Sequence, residues 1–381
     1  MRVIFLAAGK GERLKPVTDS TSKVMIPVAN KPFILWTLEP AKKAGDVLVV
    51  CREKQEDVRS LGEETALQRE ALGTLDAVLA AESAVSGDFM VINGDCYFSG
   101  EDIIKIARAE GNAMGVFRVA SVKGFGVVDV ENGLVTSLIE KPAEDGEGFV
   151  NAGIYKFTPE FWRFAKAEKS DRGEYEITDA ISAMLKENKI KAIETKSWMT
   201  ITHPWDILEV NERLLKERGS LIAKDVVIMS GVVIEEPVAI GEGAKIGPNA
   251  YIRKYSSIGA NCHVGNAVEI KNSVIMNGTK IPHMSYVGDS VVGKNCNLAA
   301  GFIAANLRLN EQNIGVRVKG EVKDSKRKKL GAIIGDNVKT GVRVSVMPGK
   351  KIGSGMAIPA GAIVVRDVEE QPNVSKMGKV I

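Results

Sequence analysis

Between Ile240 and Val364 aliphatic residues return every six positions, and few folds tolerate that spacing. Ile240, Ile246, Ile252, Ile258, Val264 and Ile270 stand six apart, and Gly follows Ile240, Ile246, Ile258 and Val264. The beat resumes in Ile334, Val346, Ile352, Ile358 and Val364, with Thr340 in the remaining slot. Two residues before most beats the chain is small or aliphatic, as at Val238, Ala244, Ala250, Ser256, Cys262, Val268, Val338, Val344, Met356 and Ala362. A helix repeats every ~3.6 residues and a half-buried strand every ~2. A parallel β-helix gives the observed period, because each flat side of each coil turns one aliphatic side chain inward onto its neighbours above and below. The regular positions are therefore expected to be core. His283 and Tyr286 fall in the break after Ile270, and Asn306 falls in the break before Ile334.

The chain of 381 residues is long enough for a second domain with its own core. Lys and Arg number 51 against 48 Asp and Glu, too small an excess to argue for nucleic acid or a membrane surface. Cys51, Cys96, Cys262 and Cys296 lack metal-ligand spacing, and the last two are expected as small buried thiols within the repeat. With no leader segment or long apolar run in view, a cytoplasmic setting is the expectation.

The N-terminal half alternates strand and helix. Residues 2–8, 47–51 and 89–93 read as strands, and residues 32–44, 75–84 and 101–109 as helices. This order argues an α/β doubly wound parallel sheet. A last helix over residues 205–217 stops at Gly219, which places the domain boundary at 217/218. After the first strand come Ala7, Ala8, Gly9, Lys10, Gly11, Glu12, Arg13, Leu14, Lys15 and Pro16. The glycines let the backbone turn and offer N–H groups to an anion, and three cations surround them. A plain tight turn explains the glycines alone equally well.

The continuation resembles the sugar-1-phosphate nucleotidyltransferases. It runs through Ser22 to Val28, Asn30-Lys31-Pro32, Gln68, Leu72-Gly73-Thr74, Asn93-Gly94-Asp95, Phe125 to Val128, Glu140-Lys141-Pro142 and Asn151 to Tyr155. The resemblance implies in-line attack of a sugar 1-phosphate on a nucleoside triphosphate, with loss of pyrophosphate. It implies Arg13 and Lys23 on the triphosphate, with Ala8, Gly9, Gln68, Gly73 and Thr74 around a pyrimidine base, from UTP or dTTP. Gly126, Glu140 and Asn151 would hold the sugar, Lys141 would lie near the phosphates, and Asp95 would bind Mg²⁺. Two departures stand out. Ser22 replaces the usual proline before Lys23, and Thr200 stands where the family carries a second metal aspartate. Asp206 is the candidate to supply that charge, with helix capping as the alternative reading.

Read alone, His283 is a surface loop residue. Residues 250–306, however, resemble the acetyltransferase half of the bifunctional enzymes that form UDP-N-acetylglucosamine. The matching residues are Arg253, Val268-Glu269-Ile270-Lys271, His283, Tyr286, Asn297 and Asn306. The resemblance implies a hexapeptide-repeat left-handed β-helix with His283 as general base for attack of the sugar amine on acetyl-CoA. Glu269 would orient the imidazole, and Arg253 and Lys271 would bind the sugar phosphate. Tyr286 and Asn297 would place the sugar, with Asn306 beside the acetyl group and Ala300 and Arg366 near CoA. Residues 307–329, rich in Lys and Arg, read as a solvated charge run or as an arm reaching a phosphate. A homotrimer with sites shared between neighbours follows from the same resemblance. The expected function is thus a bifunctional one, with a single surviving activity or a regulatory nucleotide-binding subunit as alternatives.

Overall fold

A computed structural model describes residues 1–140, 145–166, 169 and 173–369. The chain divides into two compact units. One comprises Met1–Lys10, Ser22–Met25 and Phe33–Thr200; the other comprises Gly11–Thr21, Ile26–Pro32 and the chain from Ile201 onward.

The first unit is built on a nine-stranded sheet in the order Glu64–Leu67, Asp46–Cys51, Arg2–Leu6, Phe89–Asn93, Gly148–Phe157, Asn112–Val119, Ile190–Glu194, Leu134–Glu140, Gly126–Glu131. The first four strands run parallel, as alternating strands and helices predict. Gly148–Phe157 then enters antiparallel to both its neighbours, so the sheet is mixed beyond that point. Alternation along Arg2–Leu6 supplies both faces: Val3 and Phe5 join Leu38 and Ile103 on one side, while Ile4 and Leu6 join Val78 and Ile181 on the other. The parallel strand ends open the site. There Gly94 N–H donates to the Leu6 carbonyl at 2.9 Å, and a Cβ on Gly94 would lie 2.8 Å from that oxygen.

The second unit contains the left-handed parallel β-helix, with three seven-stranded parallel sheets. One inward ladder runs Ile240, Ile258, Ile275, Val292, Ile334, Ile352. The second runs Ile246, Val264, Ile281, Leu298 and, after Asn297↔Lys339, Thr340 and Ile358. The third runs Ile252, Ile270, Val287, Ala304, Val346, Val364. The break after Ile270 is corrected by these ladders. Coiling continues unbroken, but the steps Ile270 to Ile275 and Val287 to Val292 are five residues instead of six. Both short steps turn the same corner, between the third sheet and the first. Asn272 at φ 44° and Asp289 at φ 47° make those turns in the left-handed region that short polar side chains tolerate. On the next coil the same corner carries the insertion of residues 307–329.

Thr340 fills its inward slot with its hydroxyl satisfied, accepting from Ala299 N–H at 3.0 Å. Cys262 and Cys296 are each 1% exposed, and burial pushes both thiols up to about 11, as suits inert core filler. The helix Asp206–Arg218 is fixed to the coils through the fully buried Asn211. Its Oδ1 accepts from Ala29 N–H at 2.8 Å and Ser257 Oγ at 2.6 Å, and its Nδ2 donates to the Tyr255 carbonyl at 2.7 Å.

The five-residue step makes Ile281 a core residue despite its being off the original count. Ile281→Ala is expected to cost about 2–5 kcal/mol, whereas the exposed, outward neighbour change Lys280→Ala stays within about 0.5 kcal/mol. Thermal unfolding of the two variants measures this difference, and equal losses would contradict the register.

Candidate functional site

In the first unit the backbone after the first strand is held from below. Gln55 Nε2 donates to the Ala7 carbonyl at 3.0 Å, and Arg52 Nε donates to the Ala8 carbonyl at 2.8 Å. Ser22, in place of the family's proline, is clamped by Asp57: its N–H and hydroxyl donate to the two carboxylate oxygens at 2.7 and 2.6 Å. Sequence reasoning did not single out Gln55, Arg52 or Asp57, because none lies within a motif.

Lys23 pairs with Asp95 through its ammonium. Burial pushes the Asp95 carboxyl up, but the Lys23 charge and hydrogen bond outweigh it and hold the group below its ordinary value. Thr200 pairs with Cys96, the residue after Asp95, across the short antiparallel ladder of Met199–Thr200 with Cys96–Tyr97. The backbone thus brings Thr200 to the edge of the Asp95 loop, where it contributes a neutral hydroxyl. In the other unit, Asp206 Oδ2 accepts from Thr202 N–H at 2.8 Å and His203 N–H at 2.7 Å. Both donors precede the helix Asp206–Arg218, whose N-cap Trp205 makes no side-chain capping bond, so Asp206 braces the turn that leads into the helix. Among the described residues no group of three or more His, Cys, Asp or Glu could hold a metal.

Gly126, Glu140 and Asn151 come together. Gly126 pairs with Glu140 across adjacent strands, and a Cβ on Gly126 would lie 3.2 Å from Glu140 Oε1 and 3.6 Å from the Asn151 Cβ. Asn151 Oδ1 accepts from Tyr155 OH at 2.9 Å and Gly153 N–H at 3.0 Å, so this amide is rigidly aimed. Gln68 is 3% exposed; its Nε2 donates to the Gly73 carbonyl at 3.0 Å and Asp76 Oδ2 at 2.7 Å. Thr74 Oγ1 accepts from Ile177 N–H at 3.0 Å. Lys141 lies outside the described residues. Arg13 belongs to the second unit and is exposed, in the short turn Glu12–Leu14 that Leu14 anchors by burial.

On the coils, Arg253 Nη1 donates to Glu269 Oε1 at 3.1 Å, and its Nε lies 3.7 Å from Glu235 Oε2. The arginine expected on a phosphate and the glutamate expected on the histidine are therefore paired with each other. His283 is exposed at the end of the strand Lys280–His283, in register with Asn266. Three residues on, Tyr286 OH accepts from Asn306 Nδ2 at 3.0 Å. Burial and then the Asp289 charge push the Tyr286 phenol up, which keeps it a neutral hydrogen-bonding group. Asp289 also accepts from Lys271 Nζ at 2.8 Å and Asn306 Nδ2 at 2.6 Å. Sequence reasoning missed Asp289; the signal was an acid at a turn position of the kind Asn fills elsewhere on the coils. Asn297 points outward between Lys280 and Lys339, Ala300 accepts from Arg343 N–H at 2.8 Å, and Arg366 is exposed. The basic insertion is a hairpin, Gly315–Val318 against Glu321–Asp324, whose base packs through the buried Ile314 and Val316.

A direct check on the first unit is the carboxyl titration of Asp95 by ¹³C NMR. In the native protein it ionises below the ordinary carboxylate value; in Lys23→Met the largest opposition to burial is gone, and the transition should move up. An unmoved transition would show that Lys23 does not set it.

Comparison with known proteins fits this geometry. The nucleotidyl transferase family pattern matches residues 2–217, and that of the GMPPB C-terminal domain matches residues 234–347. "Bifunctional protein GlmU" of Methanocaldococcus jannaschii is 43% identical, with 100% of this chain and 99% of that protein aligned. The "Bifunctional sugar-1-phosphate nucleotidylyltransferase/acetyltransferase" of Sulfurisphaera tokodaii is 39% identical over 97% of this chain and 98% of its own. "Low-salt glycan biosynthesis nucleotidyltransferase Agl11" of Haloferax volcanii is 34% identical over 81% of this chain and 97% of its own. Among the described residues no helix is long and apolar enough to cross a membrane. End-to-end identity of this order, together with the two units and their polar clusters, shows that the chain belongs to the family of bifunctional sugar-1-phosphate nucleotidyltransferase/acetyltransferases.

Proposed function

We propose that the chain carries out two transfers on one amino-sugar phosphate. On the coils, the amine of glucosamine 1-phosphate or galactosamine 1-phosphate attacks the thioester carbon of acetyl-CoA. The C–N bond forms, His283 takes the amine proton, and the C–S bond breaks to release CoA. In the N-terminal unit, a phosphate oxygen of the N-acetylated sugar phosphate attacks the α-phosphorus of UTP and displaces pyrophosphate. The product is a UDP-N-acetylhexosamine.

One observation carries the acetyl-transfer reading: Lys271, Tyr286 and Asn306 come from three successive coils and are tied into one polar network, with His283 three residues before Tyr286. Lys271 supplies charge for the sugar phosphate, Tyr286 and Asn297 meet the sugar, and Ala300 and Arg366 border the path of CoA. Nucleotidyl transfer rests on the Gly126, Glu140 and Asn151 cluster for the sugar, and on Arg13 and Lys23 for the triphosphate. Ala8, Gly9, Gln68, Gly73 and Thr74 frame the base, with Gln68 reading it through its carbonyl oxygen. Asp95 would hold Mg²⁺ through its carboxylate, and the ion would supply charge neutralisation for the phosphates. Asp206 is taken up by the Thr202 and His203 N–H groups and is left out of that set. Assembly as a trimer, with coils of neighbouring copies framing the acetyl site, completes the proposal. Thr200 favours a second reading, in which acetyl transfer persists and nucleotidyl transfer is weak.

The full-length protein is expected to release CoA thiol from acetyl-CoA plus glucosamine 1-phosphate, and pyrophosphate from UTP, Mg²⁺ and N-acetylglucosamine 1-phosphate. His283→Ala should lower the first rate by about 10²–10⁴-fold and spare the second, while Asp95→Asn should do the reverse. Release of neither product by the native protein would sink the proposal. Pyrophosphate release missing from the native protein alone would favour the second reading.

A further inference from the structure

The two short corner steps bring Lys271, Asp289 and Asn306 onto one another. Asp289 Oδ2 accepts from Lys271 Nζ at 2.8 Å and Asn306 Nδ2 at 2.6 Å, while Oδ1 accepts from Asn272 Nδ2 at 2.9 Å. Its side chain is only 4% exposed. A carboxylate is an acceptor only, and the Lys271 ammonium against it is a donor only.

This fixes a choice that an amide otherwise leaves open. The oxygen and nitrogen of an asparagine side chain are told apart by their partners. A carboxylate facing Asn306 admits the NH₂ and repels the carbonyl oxygen. The other Nδ2 hydrogen goes to Tyr286 OH at 3.0 Å. Gly288 leaves the space for this contact, since a Cβ there would lie 2.4 Å from Tyr286 OH and 2.7 Å from Asn306 Nδ2. Both amide hydrogens are occupied, so the carbonyl oxygen is what Asn306 has to offer a ligand.

Resting on the acetyl-transfer reading above, we propose that Asp289 is a positioning residue that fixes the polarity of Asn306. Asn306 then accepts a hydrogen bond from a substrate N–H and does not donate to the oxyanion of the tetrahedral intermediate. Two substrate groups carry such an N–H: the attacking amine of the sugar and the amides of the pantetheine arm. The main chain extends the same role. Asp289 O accepts from Gly331 N–H at 2.8 Å, and Asn306 O accepts from Leu330 N–H at 3.0 Å, so the residues that orient the amide also anchor the return of the 307–329 insertion.

The test is a double-mutant cycle on the full-length protein with Asp289→Asn, Asn306→Ala and the pair together. KM for glucosamine 1-phosphate and KM for acetyl-CoA are measured separately, with pyrophosphate release as the control for intact folding. Asp289→Asn should raise one KM by about five- to tenfold, the loss of one hydrogen bond. The sugar KM identifies the amine as donor, and the acetyl-CoA KM identifies pantetheine. Asn306→Ala should raise the same KM, and the pair should be no worse than Asn306→Ala alone. A fall in kcat with both KM values unchanged would overturn the inference, as would additive effects, which would mean that Asp289 acts through Lys271. If Asp289→Asn loses the thermal transition of the coils, Asp289→Glu, which keeps the charge but displaces the acceptor, replaces it and must raise the same KM as Asn306→Ala. Absence of CoA release from the native protein would remove the underlying reading; release by the native protein with an additive cycle removes only this inference.

Discussion

Register along the coils is the constraint on which the acetyl-transfer half depends. Each inward aliphatic residue stacks on the residue directly above and below it, and each coil's backbone hydrogen bonds exist only in that alignment. A slip of one residue would turn a whole side of a coil inside out. Ile258, Ile275 and Val292 are each buried to about the same degree although the step between them is seventeen residues, one fewer than in the coils before them. The core therefore fixes where the missing residue must be taken up, and it is taken up at a corner.

That corner is where the polar chemistry collects. A shortened turn pulls the end of one strand closer to the start of the next, and Asn272 and Asp289 accept the left-handed backbone this requires. Stacked one above the other, the turns align Lys271 with Asp289 and Asp289 with Asn306, as charge-assisted hydrogen bonds prefer. Breaking such a buried network by removing the carboxylate leaves an unpaired ammonium and a disoriented amide, which is why its members act as a unit. The nucleotidyl-transfer half uses a different device. There the strand ends of an open sheet present the loops, and one cation, Lys23, holds the Asp95 carboxylate ionised despite its surroundings.

Much of this was legible in the sequence, and the illegible parts have physical reasons. The six-residue beat revealed the coils because their core is one-dimensional and repeats without variation. Counting alone lost the thread at Ile275, Ile281 and Val287, since a five-residue step shifts every later position out of phase. The strand Phe89–Asn93 was read to the residue, because continuous apolar strands in a parallel sheet stand out. The antiparallel entry of Gly148–Phe157 was not, because strand direction is set by long-range pairing that leaves no local mark. Residues inside motifs could be picked out as candidates, and the structure brings Gly126, Glu140 and Asn151 together. The supports behind them, Asp57, Gln55 and Asp289, were missed because their partners lie in distant segments or on neighbouring coils.

The central claim is that the shortened corner, and not the six-residue rod as such, builds the acetyl-transfer site. Inserting one glycine between Asp289 and Ser290 restores the ordinary six-residue step there and removes no side chain. The account predicts that the thermal transition of the coils and pyrophosphate release both persist, because the other corners already accept six-residue steps, while CoA release falls at least as far as in Asp289→Asn. Undiminished CoA release from the folded insertion variant would contradict it.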